Sequence, residues 1–238
     1  MTTIGAIILA RLDSNRLPGK GLISVRGKPI LAYVLERARK IRGVNEIVLA
    51  TSSRPIDDPL ESFVENHGIR IFRGPLNDVA GRVLGCAREF GFDAFLRING
   101  DSPFIDFNTI SLGLGIFRSG KYDIVTNVLK RTFPIGMSVE IISTDVFARG
   151  YKKMATQEHH EHVTKYFYDN YSELSICNME SGDKNLANIH LAIDTENDLK
   201  RFRWMIDAMS GIHIDYTGTD VVSLFRRYEK QFPRAEGK

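Results

Sequence analysis

The chain has 238 residues, 43% of them hydrophobic, with a formal net charge of +3. That length suits one large domain or a domain with a small excursion, and the hydrophobic share allows a real core. A mild positive balance with no polybasic run argues against a nucleic-acid partner, and no apolar stretch approaches the ~18 residues of a membrane span.

The first ten residues lack the charged start and cleavage site of a secretory leader, so a cytoplasmic protein is expected. Cys86 and Cys177 are the only cysteines and make no disulfide framework. Cys86 falls in a helical pattern and reads as a small core residue.

Along the chain, Ile4–Leu9 is an apolar run of strand length. It passes through Ala10 and Arg11 into a polar loop carrying Ser14, Arg16 and Lys20. Loops leaving the carboxyl ends of strands are where open α/β sheets bind ligands. Three cations and a hydroxyl in so short a loop suit a polyanion such as a triphosphate, although a solvated basic loop is the plain alternative. It is not a P-loop, because Ser14 occupies the first glycine position and Gly21 follows Lys20.

Helical spacing over Ile30–Arg39 comes next, then a strand at Glu46–Ala50, a helix at Pro59–Asn66 and a strand at Arg70–Phe72. A helix at Val79–Phe90, a strand at Ala94–Ile98, a helix at Asn108–Phe117 and a strand at Asp123–Thr126 continue the alternation. This order predicts βαβ units and a parallel sheet. After about residue 130 it changes. Gly136–Ile142 reads as a strand, Glu158–Tyr168 as a polar helix, and Leu174–Met179 and Ile189–Ile193 as strands. Helices near Glu196–Met209 and Asp220–Gln231 close the chain. The piece from about 130 to 181 reads as an excursion. Phe147, Tyr166 and Phe167 lie among charges there, and an exposed apolar patch of that kind predicts an interface.

Two acids end strand candidates. Asp101 follows Arg97-Ile-Asn-Gly, with Gly100 permitting a close approach. It could be a turn residue or a helix cap. Asp194 precedes Thr195 and Asp198, which have the spacing of a capping box, but itself falls outside that pattern. Asp78 could cap the helix after it, and Arg73 and Arg82 could be surface charges. Glu158-His-His-Glu-His162 lacks the order of a zincin motif.

AIILARLDSNRLPGKGL and GKPIL resemble the N-terminus of the CMP-sugar synthetases, cytidylyltransferases acting on Kdo, sialic acids and related sugars. The likeness is greatest to the branch typified by spore-coat polysaccharide SpsF proteins, whose Ala-Arg-x-x-Ser-x-Arg-Leu-Pro-Gly-Lys signature is complete here. Phe72-Arg-Gly-Pro-Leu-Asn-Asp78-Val-Ala-Gly-Arg82 resembles that branch's Phe-Arg-Gly-x-x-x-Asp-Val-x-x-Arg. Gly100-Asp101-Ser-Pro-Phe104 resembles the metal-site segment Gly-Asp-x-Pro-Leu, with Phe for Leu. Pro134-Ile-Gly-Met-Ser-Val-Glu140 and Glu161-His-Val-Thr resemble Pro-x-Gly-x-x-Val-Glu and the end of Arg-Glu-His-Val-Thr, with His160 in place of the Arg.

The resemblance implies one domain over residues 1–238 with a Rossmann-like, mostly parallel sheet of the nucleotide-diphospho-sugar transferase type. In it the 130–181 segment would build a homodimer and cover the sugar. It implies transfer of CMP from CTP to a hydroxyl of a Kdo- or sialic-acid-like sugar acid, with release of pyrophosphate, for cell-surface polysaccharide synthesis. Arg16, Lys20, Asp101 and Asp194 would be catalytic, the two acids as ligands of Mg²⁺. Ala10, Arg11, Ser14, Arg16, Lys20 and Arg73 would bind nucleotide, and Asn99, Glu140 and His162 the sugar. Ala192 stands where some sialic-acid enzymes carry a further Asp, and Asn99 where Kdo and sialic-acid enzymes carry Gln. A glycosyltransferase on the same fold would usually carry Asp-x-Asp at a strand end, and none occurs here. A non-catalytic nucleotide-binding protein would not need Arg16, Lys20, Asp101 and Asp194 intact.

Overall fold

The computed structural model describes residues 2–233. Strands β1 (Ile4–Leu9), β4 (Glu46–Ser52), β5 (Arg70–Gly74) and β6 (Ala94–Asn99) form the parallel half of a seven-stranded sheet in the order β5-β4-β1-β6. The sheet continues with β8 (Glu140–Ser143), β7 (Ile124–Thr126) and β9 (Ile176–Asn178). β8 runs antiparallel to both β6 and β7, and β9 is parallel to β7. Ser24–Val25 (β2) and Lys28–Pro29 (β3) form a small separate hairpin.

The apolar run of β1 is unbroken because both faces of the sheet are covered, as parallel strands require. Ile4, Ala6 and Ile8 face a cluster built with α1 (Ile30–Ala38), α2 (Pro59–His67) and α4 (Phe107–Phe117). Ile7 faces the opposite cluster with α3 (Val79–Glu89) and α5 (Thr144–Tyr151). A third cluster packs α8 (Glu196–Asp207) and α9 (Gly218–Gln231) beside α1. No helix among the described residues is long and apolar enough to cross a membrane.

The second half differs from the expectation in several places. Residues 136–139 are not a ladder strand. There the Asn127 side chain imitates a neighbouring strand, donating to the Met137 carbonyl at 2.9 Å and accepting from the Val139 N–H at 2.8 Å. Ile189–Ile193 is not a strand either. Only His190 bridges to Ile135, and the alternation of Ile189, Leu191 and Ile193 arises from burial in the third cluster. The expected helix at Glu158–Tyr168 is two short ones, α6 (Gln157–Glu161) and α7 (Lys165–Asp169), separated at His162, whose ψ of 76° is not helical.

Finally, the 130–181 segment does not leave the sheet, because β8 and β9 lie within it. Phe147, Tyr166 and Phe167 are buried in the chain's own second cluster, where Phe147 packs against Phe95 and Phe167. They present no apolar surface to a second copy.

Candidate active site

The polar loop after β1 is held from beneath. Asp57, fully buried, accepts from the Leu12 N–H at 2.7 Å and from the Ser52 hydroxyl. Gly19, with φ of 68°, closes back onto the Leu12 carbonyl at 2.8 Å and opens the 3-10 turn Lys20–Leu22. This returns Lys20 toward the sheet. Its ammonium lies 2.6 Å from Asp101 Oδ2 and 3.1 Å from Asp194 Oδ1, and also donates to the Ile193 carbonyl at 3.1 Å.

The two acids meet through backbone contacts. Gly100 donates to the Leu9 carbonyl, and a Cβ there would stand 2.9 Å from that same oxygen. Only glycine lets the Asp101 loop lie so close to β1. The Asp101 carbonyl then accepts from Ile193 N–H at 2.8 Å, which sets Asp194 beside it. Gly136, at φ of 98°, packs its Cα against the backbone of Leu191 and Ala192 and brings that segment in. Thr195 and Asp198 form the reciprocal capping box of α8, and Asp198 also accepts from Asp194 N–H. Arg16 reaches Asp194 at 3.3 Å with its side chain 67% exposed. An exposed pair of that kind is worth at most about 1 kcal/mol, so Arg16 turns readily to an incoming anion.

These groups line a cavity of about 440 Å³. Ala10, Arg11, Ser14, Arg16 and Lys20 line it as expected, with Asp101 and Asp194. Arg73 does not. Its guanidinium pairs with Asp58 at 2.7 Å and Glu61 at 2.5 Å and donates to the carbonyls of Ser52 and Arg54. It ties α2 to the sheet edge, because β5 turns that side chain toward α2's acids.

A second cavity of about 370 Å³ adjoins the first, and Asn99 and His162 belong to both walls. Glu140 lines only the second and is 1% exposed. One of its oxygens accepts from Thr164 at 2.6 Å and Tyr168 at 2.8 Å, and the other faces Arg97 Nε at 2.8 Å. Burial, then the Glu140 charge, holds the Tyr168 hydroxyl well above its ordinary range, so it remains a donor. Asp78 caps α3 through Gly81 N–H at 2.7 Å and is also bound by Tyr151 and His160. Burial would raise its pKa, but these hydrogen bonds outweigh it and leave the carboxyl below its ordinary value.

Among the described residues no three His, Cys, Asp or Glu side chains gather into a metal cluster, and His159 pairs with Asp169 instead. The donor set at Asp101 and Asp194 fits a hard divalent ion of another kind. Two carboxylates already share one cationic group, and Mg²⁺ is commonly held by one or two carboxylates together with substrate phosphates.

A family model described as cytidylyltransferase matches residues 5–214. The chain belongs to the cytidylyltransferase family. The activity that goes with this family is CTP-dependent transfer of CMP. The chain is 26% identical over 235 residues to the spore coat polysaccharide biosynthesis protein SpsF of Bacillus subtilis, covering 95% of each. Its fold is that of a cytidylyltransferase from Leptospira borgpetersenii, with a TM-score of 0.91 over 100% of both chains at 24% identity. It is also similar in fold to a CMP:2-keto-3-deoxy-manno-octonic acid synthetase complexed with CTP, with a TM-score of 0.67 at 18% identity over 87% of this chain and 99% of that one.

Three arginines of this cytidylyltransferase were not singled out as site residues. Arg82, 3% exposed, lines the first cavity and donates to the Pro75 carbonyl at 2.9 Å. Arg97 lines both cavities. Arg131 lines the second, and its terminal nitrogens reach only Ser138 Oγ, at 3.4 and 3.5 Å. Burial lowers the pKa of Arg82 and Arg131, yet both stay charged, as arginine does. For Arg97 a signal existed. It stands on the same face of β6 as Phe95, which is fully buried, and a charged residue on an inward face is a functional hint.

Proposed function

We propose that this cytidylyltransferase moves CMP from CTP to a hydroxyl of a sugar acid of the Kdo or sialic-acid kind, releasing pyrophosphate, for cell-surface polysaccharide synthesis. The observation that carries this is the meeting of Lys20, Asp101 and Asp194 where two cavities adjoin. The first cavity, with Arg16 and Lys20, suits the triphosphate, and the second suits a polar acceptor. Asp101 and Asp194 would hold Mg²⁺, which when bound screens the triphosphate and lowers the pKa of the attacking hydroxyl.

The chain's own groups do the rest by position and charge. Arg16 and Lys20 hold the phosphates and balance the charge that develops on pyrophosphate. Arg131 has no carboxylate partner among the described residues and offers a planar, permanently charged fork to the acceptor's carboxylate. No covalent nucleophile is required, and Cys86 is buried away from both cavities.

Pyrophosphate release from CTP, measured with Mg²⁺ and a panel of eight- and nine-carbon sugar acids beside their neutral counterparts, tests this. Release with at least one acid and none with the neutral sugars is expected. Release only with neutral or phosphorylated acceptors would overturn the sugar-acid assignment.

A further inference from the structure

We propose that Arg97 is a catalytic residue of the transfer: its two terminal nitrogens hold the α-phosphate of the nucleotide, and Glu140 is the positioning residue that aims them. The inference rests on the proposed function, in which nucleotide and acceptor occupy adjoining cavities.

The acceptor oxygen must reach the α-phosphorus where the two cavities meet. Five residues belong to both walls: Arg97, Asn99, Asp101, His162 and Asp194. Arg97 is the permanent cation among them. Lys20 and Arg16 line only the nucleotide cavity and are paired with the acids. Arg131 and Lys165 line only the acceptor cavity, and Lys165 is paired with Asp169.

Strand geometry puts Arg97 there. Side chains alternate along β6, so Leu96 and Ile98 enter the first core cluster while Phe95, Arg97 and Asn99 share the other face. Phe95 anchors that face in the second cluster, and Arg97, two residues on, reaches the carboxyl-end rim. The β6–β8 register opposes Leu96 to Ile141, which brings Glu140 beside Arg97 on the neighbouring strand.

The pair is asymmetric in a way that suits catalysis. The Glu140 carboxylate is held on one oxygen by Thr164 and Tyr168, and its other oxygen lies 2.8 Å from Arg97 Nε as an ion pair. Among the described residues Arg97 pairs through Nε alone, in an ion pair with Glu140 that leaves both atoms without a hydrogen bond. Neither of its terminal nitrogens has a partner among the described residues, and its side chain is 16% exposed. A guanidinium so oriented presents two parallel N–H donors, the fork that matches two oxygens of a phosphate. In such a partly desolvated site, charge aimed in advance at the reacting group is effective.

The acceptor oxygen forms a bond to the α-phosphorus, and the bond from that phosphorus to the bridging oxygen of the β-phosphate breaks. The bonding electron pair leaves with pyrophosphate, and the hydroxyl proton passes to solvent. Charge on the two non-bridging α-oxygens is what Arg97 meets.

Calorimetry with CMP, cytidine and pyrophosphate on the full-length protein tests the assignment without an acceptor. Arg97→Gln should weaken CMP by about tenfold or more, the loss of a charge-assisted contact, with cytidine and pyrophosphate unchanged. Arg97→Lys should recover part of the loss, and Glu140→Gln should show a smaller loss of the same kind. If Arg97→Gln fails to fold because Glu140 is left buried without its partner, the Arg97→Gln/Glu140→Gln double variant removes that charge and should show the CMP-selective loss. Unchanged CMP affinity, or an equal loss for cytidine or pyrophosphate, would overturn the role. A wild-type protein that binds neither CTP nor CMP would overturn the nucleotide reading itself, a separate outcome from a wild type that binds CMP and a variant that binds it equally well.

Discussion

At the scale of single residues, charge and burial decide what each group does. Lys20 and Arg16 lie in one loop, yet Lys20 is drawn between two acids while Arg16 is mostly exposed. One is set in advance and the other is free to turn. The cysteines divide in the same way. Burial pushes the Cys86 thiol up to about 12, whereas Cys177 is half-buried on β9. At pH 8, well below that value, Cys86 stays protonated and out of reach, so an aromatic disulfide reagent should label at most Cys177 in the folded protein and both thiols after denaturation. Labelling of Cys86 in the native protein, located by peptide mass, would contradict this. Asp101 and Lys20 were legible in the sequence because each follows a strand end, whereas Asp194 was picked out on a strand reading of Ile189–Ile193 that the structure does not bear out. Arg73 was misplaced because a motif match says nothing of which way an edge-strand side chain turns, and here the acids of α2 are its neighbours.

Among the elements, the parallel half of the sheet was legible because its strands are apolar on both faces and each is followed by an amphipathic helix. The second half was not. Its pairing depends on a side chain, Asn127, that completes hydrogen bonds a strand would otherwise supply. Its alternation at 189–193 reports packing against α8 and α9. α5 escaped notice because it follows β8 without an intervening loop. The capping box of α8 was foreseen and is present, and it also holds the N–H of Asp194. Thr195→Ala should therefore cost about 1 kcal/mol, lowering the melting temperature by roughly 2–4 °C in a domain of this size, and Thr195→Ser should restore it. An unchanged melting curve for the alanine variant would show that the cap does not secure this segment.

For the whole molecule, the account depends on chain segments far apart in sequence meeting at the carboxyl ends of the parallel strands. The loop after β1 brings a cation, the loop after β6 an acid, and the segment before α8 a second acid, joined by the Ile193–Asp101 backbone bond. Strand direction reverses between β6 and β8, and the second cavity lies at that boundary beside the first. The most direct test is the Mg²⁺ dependence of CTP affinity, measured by calorimetry for the wild type, Asp101→Asn, Asp194→Asn and the double variant. The account predicts that Mg²⁺ tightens CTP binding to the wild type and that each single variant loses this gain. The double variant should be scarcely worse than either, because the two acids act as a unit. Without Mg²⁺ the variants should bind CTP at least as well as the wild type, since each removes a negative charge facing the phosphates. Full Mg²⁺ dependence retained by Asp194→Asn would contradict the account and return Asp194 to a structural role at the start of α8.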